Sequence, residues 1–146
     1  MSKDKMICPM CKTVINDGIE EKIEEKNRFQ KSENGVITDT DTTLQWYVGP
    51  DRDTTWDEAK SWVDNLDVDG GGWRMPTRME LIGLYEEGKG IKNIDPIFKT
   101  TSWWVWSGEL HGSSSAWCVD FDDGYDHYAT RSYSIYRRVF AVRSAR

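Results

Sequence analysis

Positive charge is the minority sign in this chain. Lys and Arg number 19 against 25 Asp and Glu, which excludes a general nucleic-acid binder because that function needs a basic footprint. No apolar run approaches the roughly 20 residues of a membrane span, so membrane insertion is not expected. Cysteine occurs three times, an odd number too small for a disulfide framework. Residues 1–7 lack the apolar segment of a secretory signal. The expected compartment is therefore cytoplasmic and reducing, with surface association or export left open should the natural chain be longer. The two histidines, His111 and His127, form no acid–base pattern with a nucleophile, and no enzyme is expected.

Aromatic residues are plentiful. Eight Trp, six Tyr and four Phe remove the chain from the disordered class despite a mean hydropathy of −0.70. The 146 residues allow one domain with a real core. We divide them into a tail, 1–27, and a body, 28–146. In the tail, Cys8-Pro9-Met10-Cys11 has the CPxC spacing at which two thiolates grip one tetrahedral zinc ion. It is a half-site, completed by a second subunit, by distant ligands or not at all; an unmetallated remnant and a redox pair are the other readings. Residues 20–31 alternate Glu with Lys and Arg as a short solvated helix does, and Ile15, Ile19 and Ile23 form a thin apolar stripe. That stripe offers a route to a homo-oligomer through the tail.

In the body, 35–39 and 44–48 read as strands of a hairpin turning through Thr40-Asp41-Thr42-Thr43. Asp39 and Asp41 are expected to bond their own turn; calcium there, or at Asp67 and Asp69, is not expected. Thr55-Trp56-Asp57-Glu58 and Thr77-Arg78-Met79-Glu80 each carry the spacing of a capping box. The first helix buries Trp56, Ala59, Trp62, Val63 and Leu66. The second runs from Arg78 to about Glu86 and buries Leu81, Ile82 and Tyr85. Between them, Gly70-Gly71-Gly72 makes a flexible corner, and Pro76 holds Met75 extended. Arg74 is expected to be a buried charge partner. From Ser102 the period becomes two. Strands are expected at 103–106, at 116–121 with Trp117, Val119 and Phe121 on one face, at 125–130 after the Asp123-Gly124 turn, and at 138–143. This order gives an α+β domain of antiparallel strands with its helices to one side of the sheet. Arg131, Arg137, Arg138, Arg143 and Arg146 follow the last acid; pairing with earlier carboxylates is preferred over an anion-binding face.

The ordered set Gly35-Val36-Ile37-Thr38-Asp39, Leu44-Gln45-Trp46, Trp56-Asp57-Glu58-Ala59 and Trp73-Arg74-Met75-Pro76-Thr77-Arg78-Met79-Glu80-Leu81 resembles the Lcl C-terminal domain family, the C-terminal domain of a collagen-like adhesin. Trp106-Ser107, the run from Ala116 to Gly124, and Val139-Phe140-Ala141-Val142-Arg143 extend the resemblance over roughly 28–143. Met75 stands where the family usually has Leu. The resemblance implies a C-type-lectin-like fold akin to formylglycine-generating-enzyme-like domains. N- and C-terminal strands would pair, two helices would flank them, and the C-terminal strands and loops would build a binding face. It further implies adhesion or glycosaminoglycan binding. The same fold also carries the variable proteins of diversity-generating retroelements. The Cys pair or His metal site of the oxidase relatives is absent from the body, and so are the sugar-chelating motifs of calcium lectins.

Residues 107–115 and 122–136 look built for exposure. Tyr supplies rigid contact area, while Ser and Asp supply adaptable hydrogen bonds. Tyr, Asp, His, Ser, Thr and Ala are also what adenine substitution makes of asparagine codons. The candidate ligand-binding residues are Trp104, Glu109, His111, Asp122, Asp123, Tyr125, Asp126, His127, Tyr128, Arg131, Tyr133 and Tyr136, with an unidentified protein or glycan as partner. An ordinary hairpin whose tyrosines pack on the sheet is the plainer alternative.

Overall fold

The computed structural model describes residues 27–145. The CPxC motif at Cys8 and Cys11 and the Ile15, Ile19 and Ile23 stripe lie outside the described residues. Eight strands and two helices follow in the order β1 (Phe29–Lys31), β2 (Ile37–Asp39), β3 (Leu44–Val48), α1 (Trp56–Asp64), α2 (Arg78–Ile82), β4 (Trp104–His111), β5 (Ser115–Asp120), β6 (Tyr125–Thr130), β7 (Arg137–Arg138) and β8 (Phe140–Ser144). They form two four-stranded sheets, ordered β1-β2-β3-β8 and β6-β5-β4-β7. All pairings are antiparallel except β4 with β7. The domain is α+β, and the strands nearest its two ends share one sheet, as the resemblance implied. Residues 29–31 are a strand, not the end of a charged helix. The cause is Phe29, which is buried against Phe98 with ring centroids 5.0 Å apart.

The strand pairs β3–β8 and β4–β5 carry apolar residues on both sides, and alternation sorts these into two cores. The cross-strand pairs Ile37–Trp46, Trp46–Val142 and Val105–Val119 face a core shared with Leu81 and Leu84, which lie on and just after α2. The alternate pairs Tyr47–Ala141 and Trp106–Cys118 face a second core with Trp56, Ala59 and Val63 of α1. The helices therefore cover opposite faces of the β4–β5 pair; the expectation that they lie on one side is corrected. Apolar residues at both phases of β4 and β5 are the reason. Both capping boxes form, with Thr55 and Glu58 closing α1 and Thr77 and Glu80 closing α2. The second helix ends at Ile82, four residues short of the expected Glu86. Gly83 caps it, and the next turns are tight, with the Glu86 amide donating across to the Asn93 carbonyl.

The segment after the glycine corner ties the sheets together. Arg74 forms a two-way backbone bridge with Val142 of the first sheet, while the Gly108 amide of the second donates to the Pro76 carbonyl at 2.7 Å. Trp73 is buried, donates to the Val68 carbonyl and carries the Arg143 guanidinium 4.2 Å above its ring. Arg74 is a charge partner as expected, bidentate to Glu80 at 2.8 and 2.7 Å, but nearly half exposed rather than buried. The other late arginines mostly pair with earlier carboxylates: Arg131 with Asp57, Arg138 with Asp51 and Asp53, and Arg143 with Asp69. Asp39 binds its own turn through the Asp41 amide and Thr42 hydroxyl, and pairs with Arg28. No helix among the described residues is long and apolar enough to cross a membrane.

Candidate functional site

The expected binding residues do not form one surface. Register fixes this: Trp117 pairs with Tyr128 and Val119 with Asp126, whereas Cys118 pairs with His127 and Asp120 with Tyr125. Paired residues share a face and successive residues alternate, so Tyr128 and Asp126 lie on one side of β6, and His127 and Tyr125 on the other. This divides the candidates into a Trp117 face and a Trp104 face.

On the Trp117 face the side chains satisfy one another. Arg78, at the start of α2, donates through its amide and Nε to Glu109 at 2.8 Å each and through Nη1 to Asp126 at 3.1 Å. Its guanidinium lies 4.1 Å over the Trp117 ring. His111 stacks on Tyr128 at 3.9 Å, and both rings meet Trp117 edge-on at 5.0 and 5.2 Å. Glu109, His111, Asp126 and Tyr128 are thus brought together around two residues that were not among the candidates, Arg78 and Trp117. Nothing local marked Arg78, which reads as the first residue of a capped helix.

The Trp104 face is more open. Trp104 meets His127 edge-on at 5.2 Å, and the buried Arg137 guanidinium lies 4.3 Å over Trp104 and 4.8 Å from the Tyr133 ring. Arg137 has no carboxylate partner among the described residues, and its Nε has no hydrogen-bond partner. An open cleft of ≈ 440 Å³ is lined by Thr101, Ser102, Trp103, Trp104 and Tyr136. Tyr136 adopts a left-handed φ of 63°, is anchored by its amide to Asp53 at 3.0 Å, and is 63% exposed. Ser102 donates to the Tyr136 carbonyl. Tyr125, at the start of β6, is 68% exposed.

At the β5–β6 turn, donor atoms of Asp120, Asp123 and His127 all lie within 4.8 Å of one another, His127 Nε2 being 3.0 Å from Asp123 Oδ2. The Asp122 amide donates to Asp120 Oδ1, while the Asp122 side chain is exposed. Asp120 was not a candidate. Folding the hairpin about Asp123-Gly124 was the signal that could have found it, because that turn sets Asp120 opposite Tyr125. Arg131 belongs to neither face; it reaches Asp57 at 2.6 Å and lies 4.7 Å over Trp56. Cys118 is buried, and burial pushes its thiol above the ordinary range, with Arg137 only partly opposing this. An unreactive thiol follows.

A family model for the Lcl C-terminal domain matches residues 35–143. No curated protein matches the chain. The matched span runs from the turn before β2 almost to the end of β8. It takes in the second sheet, the first sheet apart from β1, both capped helices and the residues of both faces. The chain belongs to the Lcl C-terminal domain family, an adhesin-type module.

Proposed function

We propose that the body is a non-catalytic ligand-binding module whose ligand meets the Trp104 face. The observation that carries this reading is a run of large side chains left exposed from a rigid frame. Trp103, Tyr125, Tyr133, Ile135 and Tyr136 are each between 37% and 68% exposed, although their backbones are held by ladder and loop hydrogen bonds. Exposed aromatics with few rotamers lose little entropy on binding, and the adjoining cleft gives them a concave border. An unidentified protein or weakly charged glycan fits this surface better than a sulfated polymer. Arg131, Arg138 and Arg143 are already paired with carboxylates, and Arg137 is buried between aromatic rings.

The test is capture from arrayed glycans and displayed protein libraries by the parent and by a Tyr125→Ala, Tyr133→Ala, Tyr136→Ala variant. The variant should unfold as cooperatively as the parent and lose capture by about tenfold or more, the scale on which interface aromatics act. Retained capture would place the ligand elsewhere. The exposed tyrosines favour a second reading, diversification of the 122–136 segment by a retroelement, because Tyr125, Tyr133 and Tyr136 are of a residue type reachable from asparagine codons. Sequencing this locus in many sister cells checks it. Changes spread evenly along the gene, instead of gathered over that segment, exclude it.

A further inference from the structure

We infer that Asp120, Asp123 and His127 form a binding site for one divalent transition-metal cation. The geometry is that of three converging donors, which a small closing movement would bring onto one ion. One imidazole nitrogen and two carboxylates from the hairpin segment Asp120 to His127 have donor atoms within 4.8 Å of one another, leaving the remaining coordination positions toward solvent. The hairpin is held by the full β5–β6 ladder from Ser115–Thr130 to Asp120–Tyr125. The His127 ring is fixed edge-on against Trp104.

An independent observation comes from the buried charges. These are Asp39, Asp120, Arg137, Arg138 and Arg143. Asp39, Arg138 and Arg143 each have an opposite charge within 3.0 Å. Arg137 is sandwiched between aromatic rings. Asp120, nine-tenths buried, has no cationic side chain bonded to it among the described residues. One of its oxygens accepts the Asp122 amide, and the other, which solvent reaches, accepts no hydrogen bond among the described residues. A largely buried carboxylate without a counter-charge is costly, and a cation reached through its solvent-facing oxygen and shared with Asp123 and His127 lowers that cost. One nitrogen with two carboxylate oxygens suits zinc, cobalt or nickel; calcium and magnesium prefer all-oxygen shells. The inference does not depend on which face meets the ligand.

The test uses the full chain carrying Cys8→Ser and Cys11→Ser, so that the tail thiols do not compete, stripped with chelator and titrated with zinc by calorimetry. One zinc per chain should bind, zinc should raise the melting temperature, and calcium should bind at least about tenfold more weakly. His127→Gln, at a half-exposed position where folding is not at stake, should weaken zinc by about 10- to 100-fold, and Asp120→Asn should do likewise. Cobalt in place of zinc should show no thiolate charge-transfer band. Unchanged zinc affinity in His127→Gln, no zinc bound by the parent, or calcium binding as tightly as zinc would each overturn the assignment.

Discussion

Trp46 is fully buried, yet its indole N–H finds no acceptor among the described residues. An unpaired buried donor costs about 1–3 kcal/mol, so Trp46→Phe should lose under about 1.5 kcal/mol despite the smaller ring. Trp46→Ala, which opens a cavity beside Phe98 and Phe140, should lose about 3–5 kcal/mol. Urea melts of the two variants decide; equal losses would mean that the N–H is bonded in solution. Asp39 supports a pH prediction. Burial alone would raise its pKa, but hydrogen bonds from Arg28, Thr42 and the Asp41 amide outweigh this and hold it below the usual carboxylate range. Its folded pKa lies under its unfolded one, so its stabilisation is complete above the unfolded value of about 3.9 and drains away as pH falls through the folded value. Asp51 shifts down likewise, with burial opposing and bonds from Thr101 and Arg138 prevailing. Arg28→Met should therefore lie furthest below the parent at neutral pH, and the gap should close in acid. A gap that widens on acidification would reverse the sign. The turn around Asp39 was legible because it is local. Arg78 was not, since its partners Glu109 and Asp126 are 31 and 48 residues away.

The two helices differ in what their caps hold. Thr55→Ala removes one cap and should cost about 1 kcal/mol. Thr77→Ala should cost more, because Glu80, which completes that box, is also the carboxylate that grips Arg74. Thermal melts of the two variants measure the difference, and equal losses would separate the cap from the ion pair. Gly108 is a different constraint. A Cβ there would stand 2.6 Å from the Met75 Cβ, so Gly108→Ala should cost about 1–3 kcal/mol through overpacking, and less in a Met75→Gly background, which removes the opposing Cβ. An equal cost of Gly108→Ala in both backgrounds would argue against direct contact. Capping boxes and the Asp123-Gly124 hairpin were readable because each is set by residues three or four apart. The division of the binding residues into two faces was not, because it depends on register across β4, β5 and β6, including an irregularity between Trp106 and Leu110. Strand β1 escaped notice because three residues carry too little pattern to outweigh a charged neighbourhood.

Over the described body, each core contains side chains from both sheets, so neither sheet can shed its apolar surface alone. Urea unfolding followed by tryptophan fluorescence and by far-ultraviolet circular dichroism should give coincident transitions. Separate midpoints would show that the sheets unfold independently. The topology adds a mechanical consequence. The described chain enters at β1 on one edge of the first sheet and leaves from β8 on the other. Tension applied between Phe29 and Ser144 therefore loads that sheet's ladder strand to strand, whereas Trp104, Tyr125 and Tyr136 lie on or beside the second sheet, off the direct path between those two ends. A module that has to keep hold of its ligand while being pulled is served by that separation, since the ladder of the first sheet meets the pull first.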